Sequence, residues 1–461
     1  MEEHQHLLTI NPATEEPIKE YPVMSSGDVE SAILSTDKAQ QKWATYSYER
    51  RAEALQNAAE ILRNRKEEWA ELMAREMGKP VTAGEAEAEK CAWVCDYYAD
   101  NGGGFLADDP VEMEAEKSYV TYQPLGVLLA VMPWNYPFWQ VFRFGAGALM
   151  AGNGFLIKHA PNTTGCGLAL ESIFKEAGFP EDLVRTLVVN VSQVEGVIHD
   201  ERIKAVTVTG STRAGKAVAA QAGSALKKCV LELGGSDPFL VMEDANLEKA
   251  IKVAAKARML NSGQSCIAAK RFLVADGLYD DFVEGLVDHF RTLTMGDPLK
   301  RETDVGPQAR HDLRKNLHRQ VAESIARGAK DVMGATIPDQ PGYYYPPTIL
   351  TDVEEGMPVF DEEVFGPVAS VIRFKDEEEA ITLANNTEYG LGAAVFSEDL
   401  ERAEKLGREH LNCGCSFIND FVKSDPRMPF GGIKASGYGC ELGKIGIKEF
   451  TNPKSVAVTK S

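Results

Sequence analysis

The sequence predicts an α/β protein whose mostly parallel sheets are buried under helices. Three observations predict it. Short apolar strands alternate with helical stretches from about residue 127 to residue 292. Gly-containing turns follow several of those strands, as at Thr209-Gly-Ser211 and Leu233-Gly-Gly235. At 461 residues and 44% hydrophobic, the chain can bury substantial cores and exceeds one typical domain. Two α/β domains and a small antiparallel platform follow. The expected boundaries are 1–117 with 133–232 for one domain, 118–132 with 440–461 for the platform, and 233–439 for the other domain.

The elements follow in chain order. Residues 28–78 read as helices, with Leu55, Ala58, Ala59, Ile61 and Leu62 as an apolar stripe that ends at Gly78-Lys-Pro80. A second helical stretch covers 83–103. The segment 118–123 reads as a half-exposed strand, and Pro124-Leu-Gly126 turns it into the apolar run 127–131. Strands are expected at 155–157, 187–189, 205–208 and 230–233, with helices at 167–177 and from Arg213 onward. The alternation restarts beyond Gly235, with strands at 240–241 and 271–274 and helices at 247–260 and 279–292. Segment 304–311 is a loop around Gly306-Pro307, and prolines stiffen Tyr343-Tyr-Tyr-Pro-Pro347. A last strand at 455–459 can pair with 118–123, leaving edges suited to subunit pairing.

Net charge is −20 and the pI about 5.0, so no basic field exists to neutralise nucleic-acid phosphates. Eight cysteines in so long a chain make no dense disulfide framework. Neither Cys91 with Cys95 nor Cys413 with Cys415 has the further ligands of a zinc site, so no metal is expected. The segment Met1-Glu-Glu-His-Gln-His6 lacks the pattern of an export signal. The apolar runs are broken by Gly, Pro or Asn, so no membrane span is read and a reducing cytoplasm is the expected setting.

Val206-Thr-Val-Thr-Gly-Ser211 supplies a strand and a tight turn into a helix, whose N-terminal N–H groups can face a pyrophosphate. Gly210 permits close approach, Ser211 adds a hydroxyl, and Gly215 lies in the first helical turn. This is not the G-x-G-x-x-G fingerprint, and no Walker A sequence occurs. Lys158 ends an expected strand, where a ribose can reach it. No carboxylate follows it in His159-Ala-Pro161, so a ribose 2′-phosphate meets no repulsion and NADP is expected to be accepted as well as NAD. Glu363 can receive ribose hydroxyls and Phe365 can pack on a nicotinamide.

Cys266 stands in the polar segment Asn261-Ser-Gly-Gln-Ser-Cys266, where a thiol can be a nucleophile. Its backbone N–H and the Asn135 side chain offer two oxyanion donors. Pro133, Pro137 and Trp134 make the Asn135 loop rigid, although an ordinary Asx turn would look the same. Glu232 lies between leucines, where poor solvation raises a carboxylate pKa toward the range of a useful base.

These segments together resemble the aldehyde dehydrogenase superfamily from about residue 8 to the C-terminus. The marks are Pro133-Trp-Asn135, Thr209-Gly-Ser211, Glu232-Leu-Gly-Gly235, Gly263-Gln-Ser-Cys266, Glu363-Val-Phe-Gly-Pro367 and Pro429-Phe-Gly-Gly432. The resemblance implies an aldehyde dehydrogenase-like fold with a Rossmann-like cofactor domain, an α/β catalytic domain and a small β oligomerisation platform. It implies NAD(P)-dependent oxidation of an aldehyde through a cysteine thioester, in a homodimer or homotetramer. The implied roles are catalytic for Cys266, Glu232 and Asn135, and cofactor-binding for Lys158, Ser211, Glu363 and Phe365, beside which Trp134, Gly210 and Gly215 are placed. Within the family the chain looks most like the bacterial succinate-semialdehyde dehydrogenases, through Met132-Pro-Trp-Asn-Tyr-Pro-Phe-Trp-Gln140, Lys158-His-Ala-Pro-Asn162 and Leu233-Gly-Gly-Ser-Asp-Pro238. That likeness implies a carboxylate-bearing aldehyde held by Arg143, Arg271 and Ser424. Glutarate semialdehyde and uncharged aldehydes are the alternative substrates.

Overall fold

The computed structural model describes residues 5–460, so residues 1–4 of the segment read for an export signal lie outside the described residues. Three helices, Ser26–Trp43, Tyr48–Asn64 and Lys66–Met77, occupy the first helical stretch, and a long helix, Val81–Phe105, the second. Leu55, Ala58, Ala59 and Leu62 of the expected stripe are fully buried, with Ile61 at its edge.

The first large sheet has the order Gly437–Tyr438, Lys228–Glu232, Ile203–Thr209, Val127–Val131, Gly154–Lys158, Val184–Thr186. All neighbours are parallel except the short first strand, which is antiparallel to Lys228–Glu232. Residues 127–130 are buried on both faces, which is why this stretch reads as a continuous apolar run without alternation. The chain reverses its direction of winding at Val127–Val131, which lies between Gly154–Lys158 and Ile203–Thr209. Crevices at such a switch point, outside the carboxyl ends of the strands, are where ligands sit in open α/β sheets. The register places Val131 beside both Lys158 and Val208, and Thr209 beside Glu232, so the expected functional residues share that end.

The second large sheet has the order Lys330–Met333, Thr348–Thr351, Val368–Phe374, Arg271–Ala275, Pro238–Val241, Gly392–Phe396, Cys415–Ile418. Only its first strand is antiparallel. The helices Leu247–Met259 and Tyr279–Arg291 pack together on one face, with Phe282 of the second helix joining Phe239 and Phe272 of the sheet in one core. A three-stranded antiparallel sheet joins Thr451–Val458, Lys117–Pro124 and Asp109–Pro110, with Thr451 opposite Pro124 and Val458 opposite Lys117.

Two expectations need correction. The strand expected at 187–189 is Val184–Thr186, because it is these residues that pair with Phe155, Leu156 and Ile157. Leu187 and Val189 are buried, so their apolar character reflects packing outside the ladder. Residues 437–438 were expected in the second domain but add an edge strand to the first sheet, opposite Glu232 and Leu231. Gly437 has φ +114°, and a Cβ there would lie 2.0 Å from the Leu231 carbonyl oxygen, so this edge depends on glycine. Among the described residues, no helix is long and apolar enough to cross a membrane.

Candidate active site

The loop before Cys266 is built from an unusual backbone. Asn261, Ser262 and Gly263 are all left-handed, at φ 55°, 55° and 75°. Two non-glycine residues in that region cost of order 1–3 kcal/mol each and persist only where surroundings impose them. Here the surroundings are named groups. Asn261 Nδ2 donates to the carbonyls of Asn135 at 2.8 Å and Gln264 at 3.0 Å. Ser262 Oγ accepts from the Gly306 N–H at 2.9 Å. Gln264 Nε2 donates to Pro307 O at 3.1 Å, and its Oε1 accepts from the Ala309 N–H at 2.9 Å. Arg258 Nη2 donates to Gly263 O at 2.8 Å. A Cβ on Gly263 would lie 2.1 Å from Gly366 O, so the Gly-Gln-Ser-Cys and Glu-Val-Phe-Gly-Pro motifs fit together backbone to backbone.

On the far side of the thiol, Lys270 Nζ donates to the carbonyls of Ser265 at 3.0 Å, Cys266 at 2.6 Å and Ala268 at 3.1 Å. Cys266 is thus held from both ends of its loop, and it lines two cavities. One, of about 300 Å³, has Trp134, Asn135, Gly210, Ser211, Glu363 and Phe365 on its walls. The other, of about 260 Å³, has an apolar wall of Tyr136, Trp139, Ile267 and Phe430, with Glu87, Lys90, Arg143, Lys423 and Ser424 among its polar members. One sulfur therefore borders two cavities, of which the second is the more apolar.

The first cavity gathers five of the seven residues expected to touch a dinucleotide: Trp134, Gly210, Ser211, Glu363 and Phe365. A Cβ on Gly210 would enter open space, the kind of cradle into which a ligand can press. Ser211 caps the Thr212–Ser224 helix, accepting from the Ala214 N–H at 3.3 Å. Glu363 accepts from the Gly235 N–H at 3.0 Å and lies 3.9 Å from Lys270; burial pushes its pKa up and Lys270 opposes this. Trp134 and Phe365 meet edge to face at 5.6 Å between centroids. The residues fit a dinucleotide.

Lys158 lies outside that cavity's walls, at the end of its strand, with burial lowering its pKa to about 8. His159 turns inward: its ring bonds Pro137 O at 2.9 Å and Thr163 Oγ1 at 2.8 Å, and burial lowers its pKa to about 4, so it is neutral. Gly215 is a correction. Its N–H donates within the helix to Ser211 O at 2.9 Å, and a Cβ there would strike the Leu233 side chain at 2.5 Å. This glycine serves close helix–strand packing and presents no donor to a ligand.

The expected catalytic and substrate residues divide. Asn135 lines the first cavity, with Nδ2 donating to Gln264 O at 3.2 Å. The Cys266 thiol is raised by burial to about 12, against the pull of Arg143 and Lys270. Glu232 is buried with neither carboxyl oxygen hydrogen-bonded, 4.0 Å from Arg143 Nη2 and on the wall of neither cavity. Its burial holds the carboxyl well above the ordinary range, with Arg143 opposing. Arg143 pairs through Nε with Glu441, and its Nη2 donates to Thr209 Oγ1 at 3.1 Å.

Arg271 is the second correction. It is fully buried in its strand, away from both cavities, and carbonyls take up its guanidinium: Ser236 at 2.9 and 3.1 Å, Leu383 at 2.7 Å and Ala384 at 2.9 Å. Leu383 and Ala384 are among the last residues of the Glu377–Asn385 helix, so Arg271 satisfies carbonyls at that helix end. With the Asn386 carbonyl at 3.5 Å, the five N–H donors all face carbonyls, and none is left for a substrate carboxylate. Sequence reasoning missed Lys270 and Arg258, which hold the loop, Glu441, which holds Arg143, and Lys90. The signal for Lys90 was available: Ala83, Ala86, Glu87 and Lys90 recur at helical spacing and share the face that lines the second cavity.

Residues 1–456 match the family model described as the aldehyde dehydrogenase family. The chain is 48% identical over 450 residues to a probable NADP-dependent succinate-semialdehyde dehydrogenase of Synechocystis, covering 98% of this chain and 99% of that protein. It is 46% identical over 451 residues to an NAD(P)-dependent succinate semialdehyde dehydrogenase of Escherichia coli, covering 98% and 97%. Its structure is similar to that of succinic semialdehyde dehydrogenase from Streptococcus pyogenes in complex with NADP, with TM-score 0.96, 36% identity, and coverage of 98% and 100%.

Proposed function

Because this chain belongs to the aldehyde dehydrogenase family, we propose that it oxidises succinate semialdehyde to succinate with NADP or NAD as acceptor. The coarser activity is that of an NAD(P)-dependent aldehyde dehydrogenase working through a cysteine thioester. The observation that carries the residue assignment is that Cys266 alone of the eight cysteines lines both cavities.

In this reading Cys266 Sγ attacks the aldehyde carbon from the second cavity. Planar carbonyl becomes tetrahedral, and the new oxyanion is held by the Cys266 N–H and Asn135 Nδ2. A bound nicotinamide supplies the hydride acceptor that the carbon needs to become a thioester. Trp134, Glu363 and Phe365 position that end of the cofactor. Gly210 and Ser211 border its phosphates, and Lys158 reaches its ribose. The thiol, protonated at rest, needs a base, and so does the water that cleaves the thioester. Solvent takes the thiol proton, with Arg143 and Lys270 favouring the thiolate, and Glu232 serves the water by swinging its unbonded carboxyl past Arg143 toward the first cavity. A carboxyl with raised pKa and no hydrogen bond to lose is suited to that movement.

NADP use is supported by the turn after Lys158. The neutral, inward-facing His159 and the absence of an acid through Pro161 leave a 2′-phosphate unopposed. A carboxylate-bearing substrate is supported by the cationic side chains and Ser424 on the second cavity. The exposed outer strand Thr451–Val458 of the small sheet supports assembly into a homodimer or homotetramer. The test is a kinetic matrix of succinate semialdehyde, glutarate semialdehyde and butanal against both cofactors. We expect the highest kcat/KM for the two carboxylated aldehydes with NADP. One methylene is worth only about 1–3 kcal/mol of discrimination, so glutarate semialdehyde should also react. A preference for butanal would overturn the substrate assignment.

A further inference from the structure

We propose that Lys90, reaching the second cavity through Ser424, is the specificity-determining cation that receives the far carboxylate of the substrate. The inference rests on the reading of a carboxylated aldehyde and names the group that selects it.

Lys90 projects from the Val81–Phe105 helix into the wall of the cavity that also holds Cys266. Its Nζ donates to Ser424 Oγ at 2.7 Å and lies 4.2 Å from the centre of the Trp139 ring. An ammonium has three donors, so two remain. Among the described residues it has no carboxylate within 4.0 Å, although its surroundings are largely apolar. The acids nearest in influence are committed elsewhere. Glu87 pairs with Lys79, and its Oε1 accepts from the N–H groups of Phe138 and Trp139 at 2.9 Å each. Asp425 pairs with Arg427 at 2.7 Å. Burial and Arg143 lower the Lys90 pKa to about 8, while Glu87, Asp425 and Cys91 support its charge. Lys90 is half-buried, and a carboxylate brought into the cavity would supply the charged partner it lacks.

Two other cations share the wall: Arg143 is compensated by Glu441 and gives a further donor to Thr209, and Lys423 pairs with Asp420. Arg271 is excluded by its carbonyl partners. Lys90 therefore stands where the sequence placed a second arginine. The Lys90–Ser424 pair spans two distant parts of the chain, fixing both residues on one wall.

The test compares the full-length wild-type enzyme with Lys90→Met and Lys90→Arg, using succinate semialdehyde and butanal with saturating NADP. Expected for Lys90→Met is a KM for succinate semialdehyde raised roughly 10- to 100-fold, the loss of one charge-assisted hydrogen bond. The butanal KM and the affinity for NADP should stay within about 2-fold of wild type, and Lys90→Arg should recover most of the loss. If Lys90→Met yields no folded protein, Lys90→Gln is measured in the same way. Equal changes in KM for both aldehydes, or none for either, would overturn the assignment of Lys90 while leaving the substrate reading intact. A wild-type enzyme with no preference for the carboxylated aldehyde would overturn both.

Discussion

At the residue scale, the site rests on charges and protons that the fold keeps out of water. Burial raises the Cys266 thiol to about 12, while Arg143 and Lys270 pull it toward the thiolate. Glu232 is an unbonded buried acid, and Arg143, held by Glu441, lies 4.0 Å away. If Glu232 activates the deacylating water, Glu232→Gln should slow steady-state turnover about 10²- to 10⁴-fold. The first turnover should suffer less, leaving a burst of about one NADPH per site. Stopped-flow absorbance checks this, and unchanged steady-state turnover would remove Glu232 from the mechanism. The catalytic candidates were legible because each sits in a motif where polar or glycine residues interrupt apolar strands. Arg271 was misread because sequence separation from Cys266 says nothing of side-chain direction. The residue starts a fully buried strand, and its donors point to carbonyls of a helix end. Lys90 went unread because its partner Ser424 is 334 positions away.

At the element scale, the parallel sheets were legible from their apolar strands, and the platform from two half-exposed stretches that pair from Thr451–Pro124 to Val458–Lys117. The short strand at Val184–Thr186 was misplaced because buried residues just beyond it carry the same apolar signal. The edge strand Gly437–Tyr438 has only two residues and no pattern to read. The nucleophile's loop is the element on which catalysis depends. Its three consecutive left-handed residues could not be inferred from composition, since two of them are Asn261 and Ser262. The loop tolerates no bulk where it meets Gly366. Gly263→Ala combines φ +75° with a backbone clash and should destabilise the protein by at least about 1–3 kcal/mol. It should also lower kcat/KM by displacing the thiol. Thermal unfolding and steady-state kinetics together measure this, and a variant with wild-type values in both would show the loop to be permissive.

At the scale of the whole molecule, one sheet carries the cofactor cavity at its switch point, and the second sheet supplies the loop that closes it with Cys266. The two cavities share Cys266 on their walls, and the proposed mechanism places the cofactor in one and the aldehyde in the other. In the proposed mechanism the aldehyde carbon bonds covalently to Cys266 between the two cavities. Rapid acid quench of the Glu232→Gln enzyme with NADP and succinate semialdehyde, followed by peptide mass spectrometry, tests this most directly. The account predicts a succinyl group on the peptide bearing Cys266, formed in step with NADPH. NADPH production with that peptide unmodified, or with the acyl group on a different cysteine, would contradict it.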